Sequence, residues 1–143
     1  MAVRTATAQW KGSVQEGGGE MSTASGVLSD AKFGVGTRMG DQPGTNPEEL
    51  IGAAHAGCFS MQLSALLSNE GHPPDSLDTE AKVQFLRQDD GFAITRIDLV
   101  VRGAVPGLDE EGFKRIAEQA KEVCPVSKAL AAVPEITLDA ALA

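Results

Sequence analysis

The sequence of 143 residues contains no tyrosine, and aromatic residues make up only 4 % of it. A hydrophobic core must therefore be built mostly from Ala, Val, Leu and Ile, and so small a core gains from contact with a partner subunit. The rest of the composition is ordinary, with 42 % hydrophobic and 22 % charged residues. We therefore expect one globular domain over residues 1–143.

Basic residues are also few, since 12 Lys and Arg against 20 Asp and Glu give a formal net charge of −8. Nucleic acids and anionic membranes attract basic patches, so this balance argues against both as partners. The first ten residues hold no apolar segment of signal-peptide length. No window approaches the roughly 18 apolar residues of a membrane span. Together these absences predict a cytoplasmic protein.

Only two cysteines are present, Cys58 and Cys124. A static disulfide is not expected in a reducing compartment. Two buried and inert thiols are the simplest interpretation. The sequence around each cysteine nevertheless favours a redox-active pair, as the following features indicate.

Hydrophobic periodicity predicts an α+β fold with the element order β-β-loop-α-β-β-α-β. The loop, residues 29–46, is rich in glycine and has the length of a functional loop. The predicted helices cover about 46–69 and 109–123, and the predicted strands cover 3–10, 21–28, 77–85, 97–102 and 136–140.

The first predicted helix has recognisable ends. Asn46 can cap it, Pro47 suits its first turn, and Gly71 lies just beyond its last turn. Apolar residues occupy most of its sides, which predicts a helix buried almost all round. The second predicted helix must end before Pro125.

The two cysteines have different local settings. Cys58 follows Gly57 within the first helix, where glycine costs about 1 kcal/mol relative to alanine, so space beside this thiol is needed for a substrate or a neighbouring helix. Cys124 ends the second helix, where the negative end of the helix dipole disfavours a thiolate. We therefore predict Cys58 as the nucleophile and Cys124 as the resolving thiol.

A thiol that attacks a substrate must be ionised, whereas a free thiol has a pKa of about 8.5. A nearby arginine lowers that pKa, and Arg38 in the glycine-rich loop is the candidate. Glu48 can orient Arg38 through a bidentate pair. A solvated loop charge and an acid that merely favours the helix N-terminus are the simpler interpretations of these two residues.

Ten residues of straight helix separate Glu48 from Cys58, which is a rise of about 15 Å. One site can contain both only if the helix breaks near Gly57, or if a second subunit supplies Arg38 and Glu48 to Cys58. The short chain and the apolar helix favour a dimer.

His55 precedes Cys58 by three residues and shares its helical face. It can pair with Cys58 or, together with His72 and Cys124, bind a metal. No CxxC or HExxH spacing supports a metal, and a histidine packed near the helix surface is the simpler interpretation. We expect neither a metal nor another bound cofactor.

Two segments resemble the cysteine motifs of the OsmC/Ohr family, which comprises osmotically inducible protein C and the organic hydroperoxide resistance proteins. They are Gly44–Met61, with the sequence GTNPEELIGAAHAGCFSM, and Cys124–Ser127, with the sequence CPVS. Gly91–Thr95 and Val105–Gly107 also match, so the resemblance covers essentially the whole chain. Ala54–Ala56 resembles the OsmC branch of the family.

The resemblance implies an OsmC-like α+β fold, with antiparallel sheets around a central helix, in an intertwined homodimer with two sites at the subunit interface. It implies a peroxidase for organic hydroperoxides, and less so for hydrogen peroxide, with Cys58 as the peroxidatic and Cys124 as the resolving cysteine. Arg38 and Glu48 match the family's active-site arginine and its partnering acid. The reductant would be an external dithiol, which in several members of the family is a lipoyl-containing thiol.

Two alternatives stay open on the sequence. A redox-sensing or stress-binding module would form the same Cys58–Cys124 disulfide without turnover. In a non-catalytic stress protein both thiols would be core residues, and they would react slowly with labelling reagents.

Overall fold

The computed structural model describes all residues 1–143 and has the α+β architecture that the periodicity predicts. The chain forms two compact units, Met1–Leu50 and Ile51–Ala143. The elements are β1 (Ala6–Lys11), β2 (Gly18–Thr23), β3 (Ala31–Phe33), α1 (Val35–Met39), α2 (Pro47–Asn69), β4 (Ser76–Gln88), β5 (Gly91–Ala104), α3 (Glu110–Val123), α4 (Pro125–Ala129) and β6 (Glu135–Leu142).

The unit Met1–Leu50 contains a three-stranded antiparallel sheet in the order β1-β2-β3. Strand β2 begins earlier than the predicted 21–28, because Gly18 and Gly19 pair in the sheet instead of forming the turn. The reason is a close approach, since a Cβ atom added at Gly19 would overlap the ring of Phe33. Glycine here therefore permits packing and does not mark a reversal.

The predicted loop 29–46 holds two short elements, β3 and α1. Three and five residues are too few to show a hydrophobic period, so the sequence pattern could not reveal them. The segment is attached to β3 by the Thr45 N–H, which donates to the Lys32 carbonyl at 2.9 Å. Arg38 therefore lies on a helix turn whose surroundings are ordered by hydrogen bonds.

Helix α2 has the predicted ends. The Asn46 side chain accepts a hydrogen bond from the Glu49 N–H at 2.8 Å, as an N-cap does. The helix stops at Asn69, and Gly71 follows with a φ of 86°, in the left-handed region that favours glycine. The helix is continuous through Gly57, so a break at that residue is excluded.

The unit Ile51–Ala143 contains a second sheet in the order β4-β5-β6. A tight turn at 89–90 joins β4 to β5 as an antiparallel hairpin, as predicted. Strand β6 pairs parallel to β5, so this sheet is mixed and not wholly antiparallel. Helix α3 lies in the connection between β5 and β6 and is capped by Asp109, which accepts from the Gly112 N–H at 2.8 Å.

The core of this unit lies between α2, α3 and the sheet. One side of α2 enters this core, while the opposite side is exposed. The prediction of a helix buried almost all round is therefore wrong for the single chain. Contrary to expectation, α2 is also long and apolar enough to cross a membrane by length and composition. The fully buried side chains include Phe59, Leu63, Leu67, Ile97, Leu99, Val101, Phe113 and Ile116.

Candidate active site

The two cysteines meet inside the unit Ile51–Ala143. Cys58 lies on α2 and Cys124 lies between α3 and α4, and their sulfur atoms are 3.2 Å apart as free thiols. Cys124 is fully buried, whereas Cys58 is partly exposed. A disulfide has an S–S distance of about 2.05 Å, so a small movement of either side chain is enough to form one.

Cys124 lies at a junction between two helices, of which the sequence predicted only the first. Helix α3 ends at Val123, as the prediction from Pro125 requires. Pro125 is also the first residue of α4, and Cys124 is the N-cap of that helix. Proline at the first helical position is a common start signal, and it was available in the sequence.

The new helix turn changes the electrostatics of the sulfur pair. Burial raises the pKa of the Cys58 thiol above its ordinary value, and its contact with Cys124 adds to this. Burial also disfavours a Cys124 thiolate, but the N–H and hydroxyl groups of Ser127, the Cys58 thiol and the Val126 N–H outweigh it and hold the pKa of Cys124 below its ordinary value. The expectation of a poor Cys124 thiolate took account of the end of α3 alone, whereas Cys124 also lies at the start of α4.

Arg38 and Glu48 form a forked ion pair within the unit Met1–Leu50. The Arg38 Nη2 donates to Glu48 Oε1 at 2.5 Å, and Nε donates to Oε2 at 3.0 Å. The Glu48 side chain is 9 % exposed and that of Arg38 is 40 % exposed. Two parallel bonds to a buried carboxylate fix the plane of the guanidinium.

An apolar pocket of about 300 Å³ opens beside Arg38. The rings of Trp10 and Phe33 form part of its wall, with their centroids 5.4 Å apart. An arginine at the edge of an apolar pocket suits a ligand with a polar head and a hydrocarbon tail. The lining residues are Trp10, Val14, Phe33, Gly34, Val35, Arg38 and Pro47.

The structure places His55 neither in a pair with Cys58 nor in a metal site, which are the two functions considered from the sequence. Its Nε2 lies 2.7 Å from the hydroxyl of Ser127, and its ring is fully buried. Burial lowers the pKa of His55. His72 instead faces the Pro106 carbonyl at 3.4 Å, and no group of three or more His, Cys, Asp and Glu side chains is placed to hold a metal ion.

Two free thiols within bonding reach, one buried and one accessible, define a dithiol redox protein of α+β fold. The chain belongs to the OsmC family, whose description is OsmC-like protein and which matches residues 40–139. The family predicted from the sequence is thereby confirmed, and the architecture is α+β as predicted.

Named relatives cover most of the chain. It is 52 % identical to peroxiredoxin OsmC of Escherichia coli (strain K12), over 92 % of this chain and 91 % of that protein. It is 31 % identical to the organic hydroperoxide resistance protein OhrB of Bacillus subtilis (strain 168), over 85 % and 88 % of the two chains. The higher identity to OsmC agrees with the branch that Ala54–Ala56 indicated.

Solved structures share the fold. The crystal structure of OhrB of Bacillus subtilis matches with a TM-score of 0.71 at 28 % identity, and the match covers 97 % of this chain and 98 % of that one. An organic hydroperoxide resistance protein from Elizabethkingia anophelis, with bound thiocyanate, matches with a TM-score of 0.77 at 24 % identity over 99 % of both chains.

Proposed function

We propose that the protein is a cysteine-based peroxidase that reduces organic hydroperoxides, and hydrogen peroxide less effectively, through a thiol–disulfide cycle on Cys58 and Cys124. The observation that carries this proposal is the 3.2 Å approach of the two sulfur atoms. Relatives named peroxiredoxin and organic hydroperoxide resistance protein support the same assignment.

The first step is oxidation of Cys58, the more accessible thiol. Because burial raises the pKa of Cys58, it needs a cation to react as a thiolate, and Arg38 is the residue we assign to this role. The thiolate attacks the distal peroxide oxygen and the O–O bond breaks. The alkoxide leaves and takes a proton to become the alcohol, and Cys58 becomes a sulfenic acid.

The second step closes the disulfide. The Cys124 thiolate attacks the Cys58 sulfur, the S–S bond forms and the S–O bond breaks, and hydroxide leaves to be protonated to water. An external dithiol then reduces the disulfide by two exchange reactions and is itself oxidised. Lipoyl-type dithiols are the reductant class that we propose.

A homodimer completes the site in this proposal. Ten residues of unbroken helix place Glu48 about 15 Å along α2 from Cys58. The partner subunit would therefore supply the Arg38–Glu48 pair to each Cys58.

The exposed side of α2 supports such a dimer. A Cβ atom added at Gly57 would meet nothing within 4 Å in the chain, so a mid-helix glycine that costs about 1 kcal/mol has no reason inside one subunit. A second copy packed closely on this small-residue side would supply that reason. The exposed residues are Ala53, Ala54, Gly57, Met61 and Ala65.

The apolar pocket beside Arg38 supports the preference for organic hydroperoxides, since its walls would bury the hydrocarbon part while Arg38 holds the peroxide. Residues 1–143 act as one OsmC-like domain without a bound cofactor. We place the protein in the cytoplasm, where a reducing environment keeps both cysteines as thiols between turnovers.

The test is consumption of cumene hydroperoxide and of hydrogen peroxide with dihydrolipoamide or DTT as reductant. Turnover by the native protein, with faster use of cumene hydroperoxide and complete loss in Cys58→Ser, supports the peroxidase. Formation of the Cys58–Cys124 disulfide without multiple turnovers would instead establish the redox-sensing alternative. The absence of any reaction with peroxide would refute both.

A further inference from the structure

His55 and Ser127 form a buried polar pair that the peroxidase cycle described so far does not use. His55 is fully buried and Ser127 is 8 % exposed, and their Nε2 and Oγ atoms are 2.7 Å apart. The other ring nitrogen of His55, Nδ1, is buried without a hydrogen-bond partner. A polar pair kept in a core at the cost of an unsatisfied nitrogen calls for a functional explanation.

The hydroxyl of Ser127 has a second neighbour, the sulfur of Cys124. Ser127 is the third residue after Cys124, in the first turn of the helix that Cys124 begins, and its hydroxyl and N–H both favour the thiolate form of this sulfur. A hydroxyl carries a single proton, so it can donate either to His55 or to Cys124. Which of the two it serves depends on the tautomer of His55.

The unsatisfied Nδ1 identifies the tautomer. Burial lowers the pKa of His55, so the ring is neutral and carries one N–H. If Nδ1 carried the proton, a buried N–H donor would have no acceptor, which is rarer in folded proteins than an unsatisfied acceptor. The proton therefore belongs on Nε2, which donates to Ser127 Oγ and leaves the Ser127 O–H to donate to Cys124.

We propose that His55 and Ser127 are positioning residues for the resolving step, in which His55 holds the Ser127 hydroxyl so that it donates to the Cys124 sulfur and maintains it as the thiolate that attacks oxidised Cys58. This inference rests on the proposed peroxidase function. Neither residue gains or loses a proton in the step, because the hydroxide that leaves Cys58 is protonated by solvent. In the reductive half of the cycle, the same bond stabilises Cys124 as the leaving thiolate.

The direct test is the ionisation of Cys124 in a protein that carries Cys58→Ala, since alanine adds no new donor beside the sulfur. Thiolate absorbance at 240 nm is followed against pH. Ser127→Ala and His55→Leu should each remove the hydrogen bond to the charged sulfur. This loss should raise the midpoint of the Cys124 titration by about one pH unit. Ser127→Thr keeps the hydroxyl and His55→Gln keeps a donor, so both should stay close to the parent.

The double variant Ser127→Ala/His55→Leu distinguishes one shared hydrogen-bond chain from two separate effects. A shift no larger than that of Ser127→Ala alone supports the chain, and an additive shift refutes it. A midpoint that Ser127→Ala leaves unchanged overturns the whole proposal, and a shift in Ser127→Ala without one in His55→Leu overturns the role of His55. If His55→Leu does not fold, the comparison of Ser127→Ala with Ser127→Thr decides.

Kinetics separate this inference from the peroxidase proposal. With Cys58 intact, Ser127→Ala should form the Cys58 sulfenic acid at the native rate and close the disulfide several-fold more slowly near neutral pH. A native protein that does not react with peroxide would refute the peroxidase, while the Cys124 titration would still decide the roles of His55 and Ser127.

Discussion

The sulfur atoms of Cys58 and Cys124 are 3.2 Å apart, although one belongs to the middle of α2 and the other to the end of α3. The buried member of the pair is Cys124, and the accessible member is Cys58. Because a hydroperoxide must reach the sulfur that it oxidises, the pair has an inherent direction, with oxidation at Cys58 and resolution by Cys124.

This direction can be tested by trapping the intermediate. In Cys124→Ser, one equivalent of cumene hydroperoxide should leave a sulfenic acid on Cys58 that dimedone labels, because no resolving thiol is present. The native protein should give the Cys58–Cys124 disulfide instead, and both products can be identified by mass spectrometry. Equally fast dimedone labelling of Cys124 in Cys58→Ser would contradict the assigned direction.

The forked pair of Arg38 and Glu48 leads to a second prediction. Arg38→Met should slow the oxidation of Cys58 by about tenfold to hundredfold, because the loss of a nearby cation raises the pKa of the thiol and so lowers the fraction of thiolate. Arg38→Lys keeps the charge but not the fork, so it should be intermediate. The rate is measured by stopped flow with limiting cumene hydroperoxide.

Glu48→Gln should reduce the same rate less than Arg38→Met, because Glu48 acts through the orientation of Arg38. Arg87→Met is the matched control, since Arg87 is exposed on β4 and the same charge is removed. An equal loss in Arg87→Met would show that net charge, and not the position of Arg38, determines the rate.

A third prediction concerns the exposed side of α2. Gly57→Leu should weaken the proposed homodimer at least tenfold, because the side chain would occupy the space into which the second copy packs, even though leucine favours the helix. Sedimentation velocity over a range of protein concentrations measures the dissociation.

Gln119→Leu is the control for this variant, because it adds a similar apolar side chain to the solvent-facing side of α3. It should leave the association unchanged. A Gly57→Leu protein that dimerises as well as the native chain would place the interface elsewhere and would remove the explanation for Gly57.

A fourth prediction uses a close approach inside the core. A Cβ atom at Gly103 would lie 2.7 Å from the ring of Phe113 and 3.1 Å from Leu77. Gly103→Ala should therefore lower the free energy of unfolding by about 1–3 kcal/mol, as overpacking does. Urea denaturation measures it. Gly18→Ala is the control for the loss of a glycine outside the core, since a Cβ atom there would meet only the Phe33 carbonyl oxygen, at 3.9 Å.

The sequence predicted the elements whose signals are local and strong. Helix α2 has a capping asparagine, a proline in its first turn and a glycine after its end, and the structure uses all three. The hairpin of β4 and β5 follows from alternation on both sides of a turn that ends in Gly91. In these cases the backbone preference of a few residues decides the structure without tertiary contacts.

Features that depend on distant parts of the chain were not predicted. The alternation in β6 does not indicate whether it pairs parallel or antiparallel, because the periodicity of side chains is the same in both. Gly19 looked like part of a turn since its partner, the ring of Phe33, comes from another strand. The hydrogen bond of His55 to Ser127 joins residues from two elements that no spacing in the sequence connects.

Pro125 illustrates a signal that was present and interpreted too narrowly. A proline ends the helix before it, but it also favours the first position of a following helix. With that second meaning, the N–H groups of Val126 and Ser127 could have been placed near the Cys124 sulfur, as the structure has them. The dipole argument would then have favoured a Cys124 thiolate.

The buried ring of His55 gives a fifth prediction, on the pH dependence of stability. Burial lowers the pKa of His55 in the folded state below its ordinary value of 6.5, so the unfolded chain binds the proton more tightly. The contribution of the neutral ring is therefore complete above pH 6.5 and is lost as the pH falls from 6.5 toward the folded pKa. The free energy of unfolding should fall by up to about 1.4 kcal/mol per pH unit in this window.

Urea denaturation between pH 7.5 and 5.0 measures this slope, and His55→Gln should flatten it. The carboxylates with lowered pKa values, such as Glu70, Glu110 and Asp139, lose their contribution at lower pH, around and below their ordinary values of 3.8 to 4.5, so they do not obscure the window. A native slope in His55→Gln would mean that His55 binds its proton equally in the folded and unfolded states, which would contradict the neutral buried ring on which the assigned tautomer depends.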